Sequence, residues 1–196
     1  MRITAEEKIA TRKRILDAAK SLFRSKGFDE ATTRDIAKEV GIATGTMFNY
    51  FRSKEAIVVE LAAQAIDKGG HAFNSERRTK AKLDEDLFSF VATQLRHLRP
   101  LRKYSRPLLE SVLVPATISA PESLAAELRS DLNDRILQIF VQHGFEDPTP
   151  IQISIFWSLY VGVVSFWSHD KSPKQEDSLA LLDQSIRMYV DWLGTD

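Results

Sequence analysis

Apolar residues recur at spacings of three and four along most of the chain, which is the period of an α-helix with one buried face. The first such segment places Ile15, Leu16, Ala19, Leu22 and Phe23 on one side. No segment shows the alternation of a half-buried strand, and glycine and proline number only 8 and 7 in 196 residues. The pattern predicts an all-α protein of about nine helices.

Capping residues and helix breakers set the predicted bounds of these helices. Thr4 and Glu7 form a capping box before the first helix, and Gly27 follows its last turn. The first helices are predicted over residues 5–26, 33–40, 44–51 and 54–68. Gly69-Gly70 and the polar run after it predict a domain boundary. The remaining helices are predicted over residues 83–98, 104–114, 122–143, 150–168 and 174–193.

Composition narrows the chemistry that these helices support. With 43% hydrophobic and 28% charged residues, the chain has the composition of a soluble globular protein. It has no cysteine, and its histidines are too far apart in sequence to pair on a helix, so we expect neither a metal site nor a cofactor. No nucleophile has an evident base partner, which argues against an enzyme. The histidines are His71, His97, His143 and His169.

Two features bear on location. The N-terminus lacks an apolar signal-peptide segment, and the absence of cysteine suits a reducing compartment, so we expect a cytoplasmic protein. The uncharged segment 150–168 approaches the length of a membrane span but contains several serines and Gln152. We interpret it as a buried helix and expect no membrane partner.

The formal charge is zero, from 27 basic and 27 acidic side chains, but it is unevenly distributed. Residues 1–54 hold 12 basic and 7 acidic side chains, a net charge of +5, and the rest of the chain carries −5. The basic segment is therefore where a polyanion is expected to bind.

The same basic segment contains a short helix, a tight turn at Gly41-Ile42 and a second short helix, which is the spacing of a helix-turn-helix. In the second helix Met47 and Phe51 fall on the inner side, and Gly45, Thr46 and Asn49 fall on the outer side. This small, polar, uncharged face suits hydrogen bonding to base edges. The alternative is a helical bundle with a solvated face.

The stretch Ile15–Ile57 resembles the DNA-binding domain of TetR-type transcriptional repressors. It has, in order, Ile-Leu-x-Ala-Ala-x-x-Leu-Phe, Gly-Phe, Thr-x-Arg-x-Ile-Ala, Val-Gly-Ile, Gly-Thr-x-Phe-x-Tyr-Phe and Ser-Lys-Glu. The resemblance implies a helix-turn-helix DNA-binding domain over 1–54, a connecting helix over 54–68 and a helical effector-binding and dimerisation domain over 69–196. It also implies a homodimer whose two DNA-binding domains change their separation when a small molecule binds.

Carried over by position, the DNA contacts implied by the resemblance fall on Thr33, Arg34, Thr44, Gly45, Thr46, Phe48, Asn49, Tyr50 and Lys54. Lys54, which opens the connecting helix, is the expected phosphate contact. Three positions depart from the family pattern. Thr44 replaces a common lysine, Phe48 replaces a usual tyrosine, and Ala43 replaces a serine cap.

Aromatic residues concentrated in the C-terminal part indicate where an effector cavity would form, although most aromatics at helical spacing belong to a core. The predicted walls are Phe88, Val91, Leu95, Tyr104, Leu108, Trp157 and Tyr160. A basic cluster runs from Arg96 to Arg106. It either pairs with an anionic group of the ligand or is a solvated connection between helices, and the second interpretation is the commoner one.

The last two helices carry more apolar surface than one buried face needs. A ridge of small residues on the first of them would permit close approach of another helix. The alternative is that both helices fill their own core, but the family resemblance favours a dimer interface. The predicted interface residues are Ser154, Ser158, Gly162, Ser165, Leu182, Ile186, Tyr189 and Leu193.

Together these features predict a ligand-responsive repressor that binds a palindromic operator in double-stranded DNA as a dimer and is released by a small, largely apolar effector. A second hypothesis is an architectural or protein-recruiting DNA-binding protein with a filled C-terminal core. A third is an enzyme with its active site in the C-terminal cavity.

Overall fold

The computed structural model describes residues 4–104, 109, 124–145 and 147–194. Across these ranges the regular secondary structure is entirely helical, as predicted. The described α-helices are α1 (Ala5–Lys26), α2 (Thr33–Val40), α3 (Thr44–Phe48), α4 (Lys54–Glu76), α5 (Leu83–Leu98), α6 (Leu124–Gln142), α7 (Pro150–His169) and α8 (Glu176–Leu193). Short 3₁₀ segments follow α5 and precede α8, at Arg99–Tyr104 and Pro173–Gln175. Most of the helix predicted over 104–114 lies outside the described residues.

The chain divides into two compact units, Met1–Leu61 and Ala62–Asp196. In the first unit, capping boxes begin α1 and α2. The Thr4 hydroxyl accepts a hydrogen bond from the Glu7 N–H at 3.1 Å, and the Glu7 carboxylate accepts one from the Thr4 N–H at 2.8 Å. Thr32 and Asp35 repeat the arrangement, and these bonds, with Lys26 nearby, lower the pKa of Asp35. Local sequence therefore sets both helix starts.

The first unit has one apolar core shared by α1, α2 and α3. Ile15, Ile36 and Met47 are fully buried, and Phe23 and Val40 are nearly so. Burial of each large apolar side chain contributes roughly 1.5–3 kcal/mol relative to exposure. The helical period that the sequence shows is therefore the period of this core.

Helix α4 does not end at Lys68 as predicted but continues through Gly69-Gly70 to Glu76. Both glycines are buried where a side chain has no room. A Cβ at Gly69 would lie 3.3 Å from the Cα of Gln94 in α5, and a Cβ at Gly70 would collide with the Arg135 guanidinium of α6. These glycines therefore serve close helix packing and do not break the helix. The division between the compact units falls earlier in α4, after Leu61.

In the second unit, α5 packs against α6 and α8, and α7 packs against the same two helices. The connection from α7 to α8 is held by Asp170, whose carboxylate accepts hydrogen bonds from the Ser172 N–H at 2.7 Å and the Ser178 N–H at 3.0 Å. The Ser178 hydroxyl also donates to it. Hydrogen bonds from Ser178 and Ser172 hold the pKa of this carboxyl well below its usual range.

Helix α7 is long and apolar enough to cross a membrane, by length and composition only. A third of its most apolar window is buried inside the protein. Phe156, Tyr160, Val163 and Trp167 are among its buried residues. The opposite side of the helix is solvent-exposed and carries the ridge of small residues.

Candidate nucleic-acid interface

The turn between α2 and α3 depends on Gly41, which has φ 75° and ψ 34°. Glycine adopts this left-handed conformation without the steric cost of a Cβ. The Gly41 N–H donates to the Lys38 carbonyl at 3.2 Å, and the Ile42 N–H donates to the Ala37 carbonyl at 2.9 Å. Two carbonyls at the end of α2 are thus satisfied, and α3 begins three residues later at Thr44.

Helix α3 buries Met47 and exposes Gly45, and Phe48 is 47% exposed. It is shorter than predicted, because the regular helix ends at Phe48 and the N–H groups of Asn49 and Tyr50 donate to the carbonyls of Thr46 and Met47 in a tight turn. Ala43 provides no side-chain cap, as its methyl group dictates. Asn49 is exposed and Thr46 is half-buried, and both lie on the side of α3 opposite Met47.

Arg12 of α1, which was not predicted as a functional residue, contacts the turn after α3 and helix α4. Its guanidinium donates to the Tyr50 carbonyl at 3.2 Å and to the Glu60 carboxylate at 2.8 Å. It also lies 4.4 Å from the centroid of the Phe51 ring. Because one side chain joins α1, the turn after α3 and α4, it fixes where α3 sits within the first unit.

A second arginine of α1 acts on α2. The Arg14 guanidinium donates to the Val40 carbonyl at the end of α2, where a cation also favours the helix dipole. Lys26 lies 3.3 Å from the Asp35 carboxylate. Part of the positive charge of this unit therefore supports its fold.

Lys54, a predicted DNA contact, is engaged within the first unit. Its Nζ donates to the carbonyls of Phe28 at 2.7 Å, Asp29 at 3.0 Å and Ala31 at 3.4 Å, and lies 4.5 Å from the centroid of the Phe28 ring. An ammonium group has three N–H donors, and these carbonyls use all of them. In this structure the side chain therefore closes the α1–α2 loop.

The other side chains that were predicted to contact DNA are not engaged in this way. Arg34 and Asn49 are exposed, Thr44 and Thr46 are half-buried, and none of the four makes a side-chain hydrogen bond to any residue that the structure describes. Thr33 and Tyr50 are half-buried at the margins of the same region. Free donors and acceptors are therefore brought together on the outer side of α2 and α3, whereas Arg12, Arg14 and Lys54 are engaged within the unit.

The residues that were predicted to line an effector cavity do not all line the same cavity. A cavity of about 710 Å³ lies in the second unit, lined by residues of α4, α5 and α8, and includes Phe88 and Leu95. Val91 and Tyr104 are buried away from it. Trp157 stacks on Tyr160 with ring centroids 5.9 Å apart, and this pair is also absent from the described lining. Leu108 lies outside the described residues.

The basic cluster is largely engaged within the protein. Arg96 pairs with Glu76 at 2.8 Å, and the Arg102 Nε donates to the Trp167 carbonyl at 2.8 Å. His97 contacts the Thr93 carbonyl at 2.9 Å. Arg99 is exposed and lines the cavity, and Arg106 lies outside the described residues. Arg96 lines the same cavity.

Two buried polar groups in the second unit have no hydrogen-bond partner among the described residues. They are the Gln94 side-chain amide on α5 and the Tyr160 hydroxyl on α7, and burial raises the pKa of Tyr160 well above its usual range. Each such group costs roughly 1–3 kcal/mol when left unpaired. In the sequence, Gln94 is a polar residue at a position where the helical period of α5 places apolar residues, and this pattern marks it.

The residues predicted for the dimer surface differ in their exposure within one protomer. The small residues Ser154, Ser158 and Gly162 are exposed on α7, and Ser165 is half-buried. The residues predicted from α8 behave differently. Leu182, Ile186 and Tyr189 are buried in the core of their own protomer, and Leu193 is half-buried.

The reason is that α8 has apolar residues on two sides. One side packs into the core of the second unit, and the other exposes Leu181, Met188 at 63% and Trp192 at 53%. A shallow groove of about 320 Å³ lies between α7 and α8, lined by Ile155, Leu159, Ser185, Met188, Tyr189 and Trp192. The exposed apolar surface is thus continuous from α7 to α8.

The family model for bacterial regulatory proteins of the tetR family matches residues 15–61. The uncharacterized HTH-type transcriptional regulator YfiR of Bacillus subtilis is 34% identical over 151 residues, which are 75% of this chain and 73% of that protein. The HTH-type transcriptional repressor Rv1474c of Mycobacterium tuberculosis is 27% identical over 151 residues, 71% of this chain and 81% of that protein.

Among solved structures, the fold is similar to that of Thermus thermophilus FadR, a TetR family transcriptional repressor solved in complex with lauroyl-CoA. The TM-score is 0.73 with 23% sequence identity, covering 91% of this chain and 93% of that one. A TetR transcriptional regulator from Rhodococcus sp. RHA1 has a TM-score of 0.71 with 21% identity, covering 94% and 97%. The similarity to these structures extends beyond the matched 15–61 segment to the helices of the second unit.

Proposed function

The chain belongs to the tetR family of bacterial regulatory proteins, and we propose that it is a repressor that binds a palindromic operator as a homodimer and is released by a small, largely apolar effector. The observation that supports this DNA-binding surface is that the polar side chains of the first unit fall into two groups, one engaged within the fold and one exposed. Arg12, Arg14 and Lys54 are engaged within the fold. Arg34 and Asn49 are exposed without intramolecular side-chain partners among the described residues.

The proposed roles follow from the hydrogen-bonding groups. Arg34 presents a forked donor that matches the O6 and N7 atoms of guanine, and Asn49 presents the donor and acceptor that match adenine. Gly45 lets the α3 backbone approach the groove, and Phe48 offers an exposed ring to a thymine methyl or a sugar. The neighbouring polar side chains suit hydrogen bonds to the sugar-phosphate backbone of DNA; these are Thr33, Thr44, Thr46 and Tyr50.

A charge of +5 over residues 1–54 is modest, and part of it is engaged within the fold. Because affinity for DNA depends strongly on the number of phosphates neutralised, one such unit would bind weakly. Two units on one palindrome add their contacts, so we propose that tight binding requires the dimer. A ligand that changes their separation would then control DNA affinity by a population shift.

The effector part of the proposal rests on the second unit. Its cavity of about 710 Å³, which is open to solvent, is within the volume range of small-molecule sites and supports this part of the proposal. Lauroyl-CoA, present in the FadR structure, carries a long apolar chain. Since that protein shares only 23% identity with this one, it supports the general character of an effector and not its identity.

Arg34→Ala and Asn49→Ala are each expected to reduce the preference for operator over random DNA by about tenfold, because each removes a base-edge contact. The operator would first be selected from a random DNA pool, and binding measured by fluorescence anisotropy at fixed salt. Lys13→Ala, which removes an exposed cation of α1, is the matched control and should preserve the preference. Equal losses on operator and random DNA for Arg34→Ala and Asn49→Ala would contradict the assignment.

Gly162→Leu is expected to convert the dimer to a monomer, because it places a large side chain on the small-residue ridge of α7. Within one protomer a Cβ at Gly162 has no described atom within 4 Å, so the change should be tolerated by the monomer fold. Sedimentation equilibrium would measure the association state. Ser130→Leu on the exposed side of α6 is the control for an added leucine. A Gly162→Leu protein that remains dimeric would remove this face of α7 from the interface.

A further inference from the structure

The cavity of about 710 Å³ follows one face of α5 and the residue directly after it. Its lining residues in this segment recur three or four positions apart, as one helix face requires, and include Glu85, Phe88, Ala92, Leu95 and Arg99. At about 1.5 Å per residue, the distance from Glu85 to Arg99 is roughly 21 Å. The cavity is therefore elongated and can hold an extended ligand.

An apolar strip runs along the middle of the cavity. It consists of Phe88 and Leu95 of α5 with Leu179 and Ile186 of α8. Leu95 and Ile186 are buried, whereas Phe88 is half-buried and Leu179 is 39% exposed. An apolar chain lying along this strip would remove part of its surface from water, which favours binding roughly in proportion to the area covered.

The two ends of the cavity differ in charge. At the end next to the connection between α4 and α5, Arg78 lines the cavity together with Asp84 and Glu85. At the other end the lining includes Arg99 and Lys174, which are both exposed. Neither of these two side chains has an ion pair or a hydrogen bond within the described ranges. We name the region of Arg99 and Lys174 the basic end.

Other arginines of the lining do not add to this excess of positive charge. Three of them each pair with an acid that also lines the cavity, so each pair is neutral. The pairs are Arg77–Asp86, Arg96–Glu76 and Arg187–Asp183. The basic end therefore keeps two cations that an anionic ligand can reach.

Trp167 holds the two cations at the same end. It is buried in α7 and lines the cavity. Its carbonyl accepts a hydrogen bond at 2.8 Å from the Nε of Arg102, three residues after Arg99. Its indole N–H donates at 3.1 Å to the side-chain oxygen of Gln175, next to Lys174. One residue thus joins the segment after α5 to the connection before α8.

The backbone that carries Lys174 is strained. Lys174 has φ 51° and ψ 15°, and Gln175 has φ 63° and ψ 37°. These are the two non-glycine residues with a positive φ in the described part of the chain. Residues with a Cβ adopt this left-handed conformation at a steric cost, and such strain concentrates at binding sites. Because a glycine would remove the cost, the lysine at this position indicates a use for its ammonium group.

We propose that Arg99 and Lys174 bind the anionic head of an amphipathic effector, a carboxylate or a phosphate monoester, whose extended apolar body lies along the apolar strip. An anion at the basic end receives charge-assisted hydrogen bonds from two side chains, and the acids at the opposite end would repel it. Charge therefore sets the orientation of the ligand as well as its class. The inference rests on the proposed function in one respect, that the second unit binds an effector, and adds the chemical class of that effector and the residues that select it.

The test uses the full chain and isothermal titration calorimetry at low salt, with decanoate, decyl phosphate and decanamide below their micelle-forming concentrations. We expect each anion to bind at least about tenfold more tightly than decanamide, because only the anions pair with the basic end. Arg99→Met and Lys174→Met should each weaken anion binding by about tenfold and leave decanamide binding unchanged. The tighter of the two anions identifies the head group as a carboxylate or a phosphate.

Lys103→Met and Lys171→Met are the matched controls and should keep the affinity of the wild type. Both lysines are exposed cations of the same two segments, lie outside the described lining and have no partner among the residues described. Lys174→Gly should weaken anion binding as Lys174→Met does, and should raise the melting temperature by about 3 °C because glycine relieves the left-handed backbone. A lower melting temperature would mean that the lysine supports the fold, and would overturn its assignment to the ligand.

Equal affinities for the two anions and decanamide, equal losses in the Lys171→Met and Lys174→Met proteins, or no binding of either anion would also overturn the proposal. Higher salt should weaken the binding of the anions and not that of decanamide, since ion pairs at an exposed site are screened. Because calorimetry needs no DNA, it separates failure of this site from failure of the proposed repressor function, which the operator-binding assay reports.

Discussion

Asp86→Ala is expected to lower the free energy of unfolding by about 3 kcal/mol, because it leaves the partly buried Arg77 guanidinium without its counter-charge and the His143 ring without its hydrogen-bond partner. Asp86 is 1% exposed in α5. Its carboxylate lies 2.7 Å from the Arg77 Nε and 2.7 Å from the His143 Nε2, and the Arg77 side chain also donates to Gln142. One carboxylate thus joins the residue after α4, the first turn of α5 and the end of α6.

Urea denaturation monitored by circular dichroism would measure the effect. Asp84→Ala is the matched control, since it removes an acid two residues earlier whose side chain has no ion pair or hydrogen bond within the described part of the chain. It should change stability by less than about 0.5 kcal/mol. Asp86→Asn, which keeps hydrogen-bonding capacity, should fall between wild type and Asp86→Ala. Equal effects of Asp84→Ala and Asp86→Ala would contradict a role for the buried ion pair.

Sequence alone predicted the elements whose ends are set by neighbouring residues. The bounds of α1, α2 and α5 agree with the prediction, because capping boxes at Thr4 and Thr32 and the left-handed Gly41 act within a few residues. The end of α4 was wrong because Gly69-Gly70 has the local signature of a break. Its actual role depends on Gln94 and Arg135, which lie far away in sequence.

The same distinction separates the parts of the candidate site. The buried position of Met47 and the outward position of Asn49 follow from the helical period, so the outer face of α3 was predictable. The helical period also placed Leu182 and Ile186 on an apolar stripe. It did not distinguish which of two apolar sides of α8 faces its own core, because that depends on the packing of α5 and α7.

Lys54→Met is expected to lower the free energy of unfolding of the first unit by about 2 kcal/mol, since three backbone carbonyls lose their charged donor. Methionine keeps an unbranched stem against Phe28, so the change removes mainly the ammonium group. Arg52→Met is the matched control, because Arg52 is an exposed cation two residues earlier whose side chain has no partner in the described ranges. It should leave stability within about 0.5 kcal/mol of wild type.

DNA binding then distinguishes the two possible roles of Lys54. If its ammonium group holds the loop of Phe28, Asp29 and Ala31, Lys54→Met should lose stability and leave the slope of log affinity against log salt concentration unchanged. If it is a phosphate contact, as its place at the start of α4 suggested, stability should be retained and the magnitude of the slope should fall by about one. Because the carbonyls occupy all three donors, we expect the first result, and retained stability with a reduced slope would show that Lys54 exchanges these carbonyls for a phosphate on DNA.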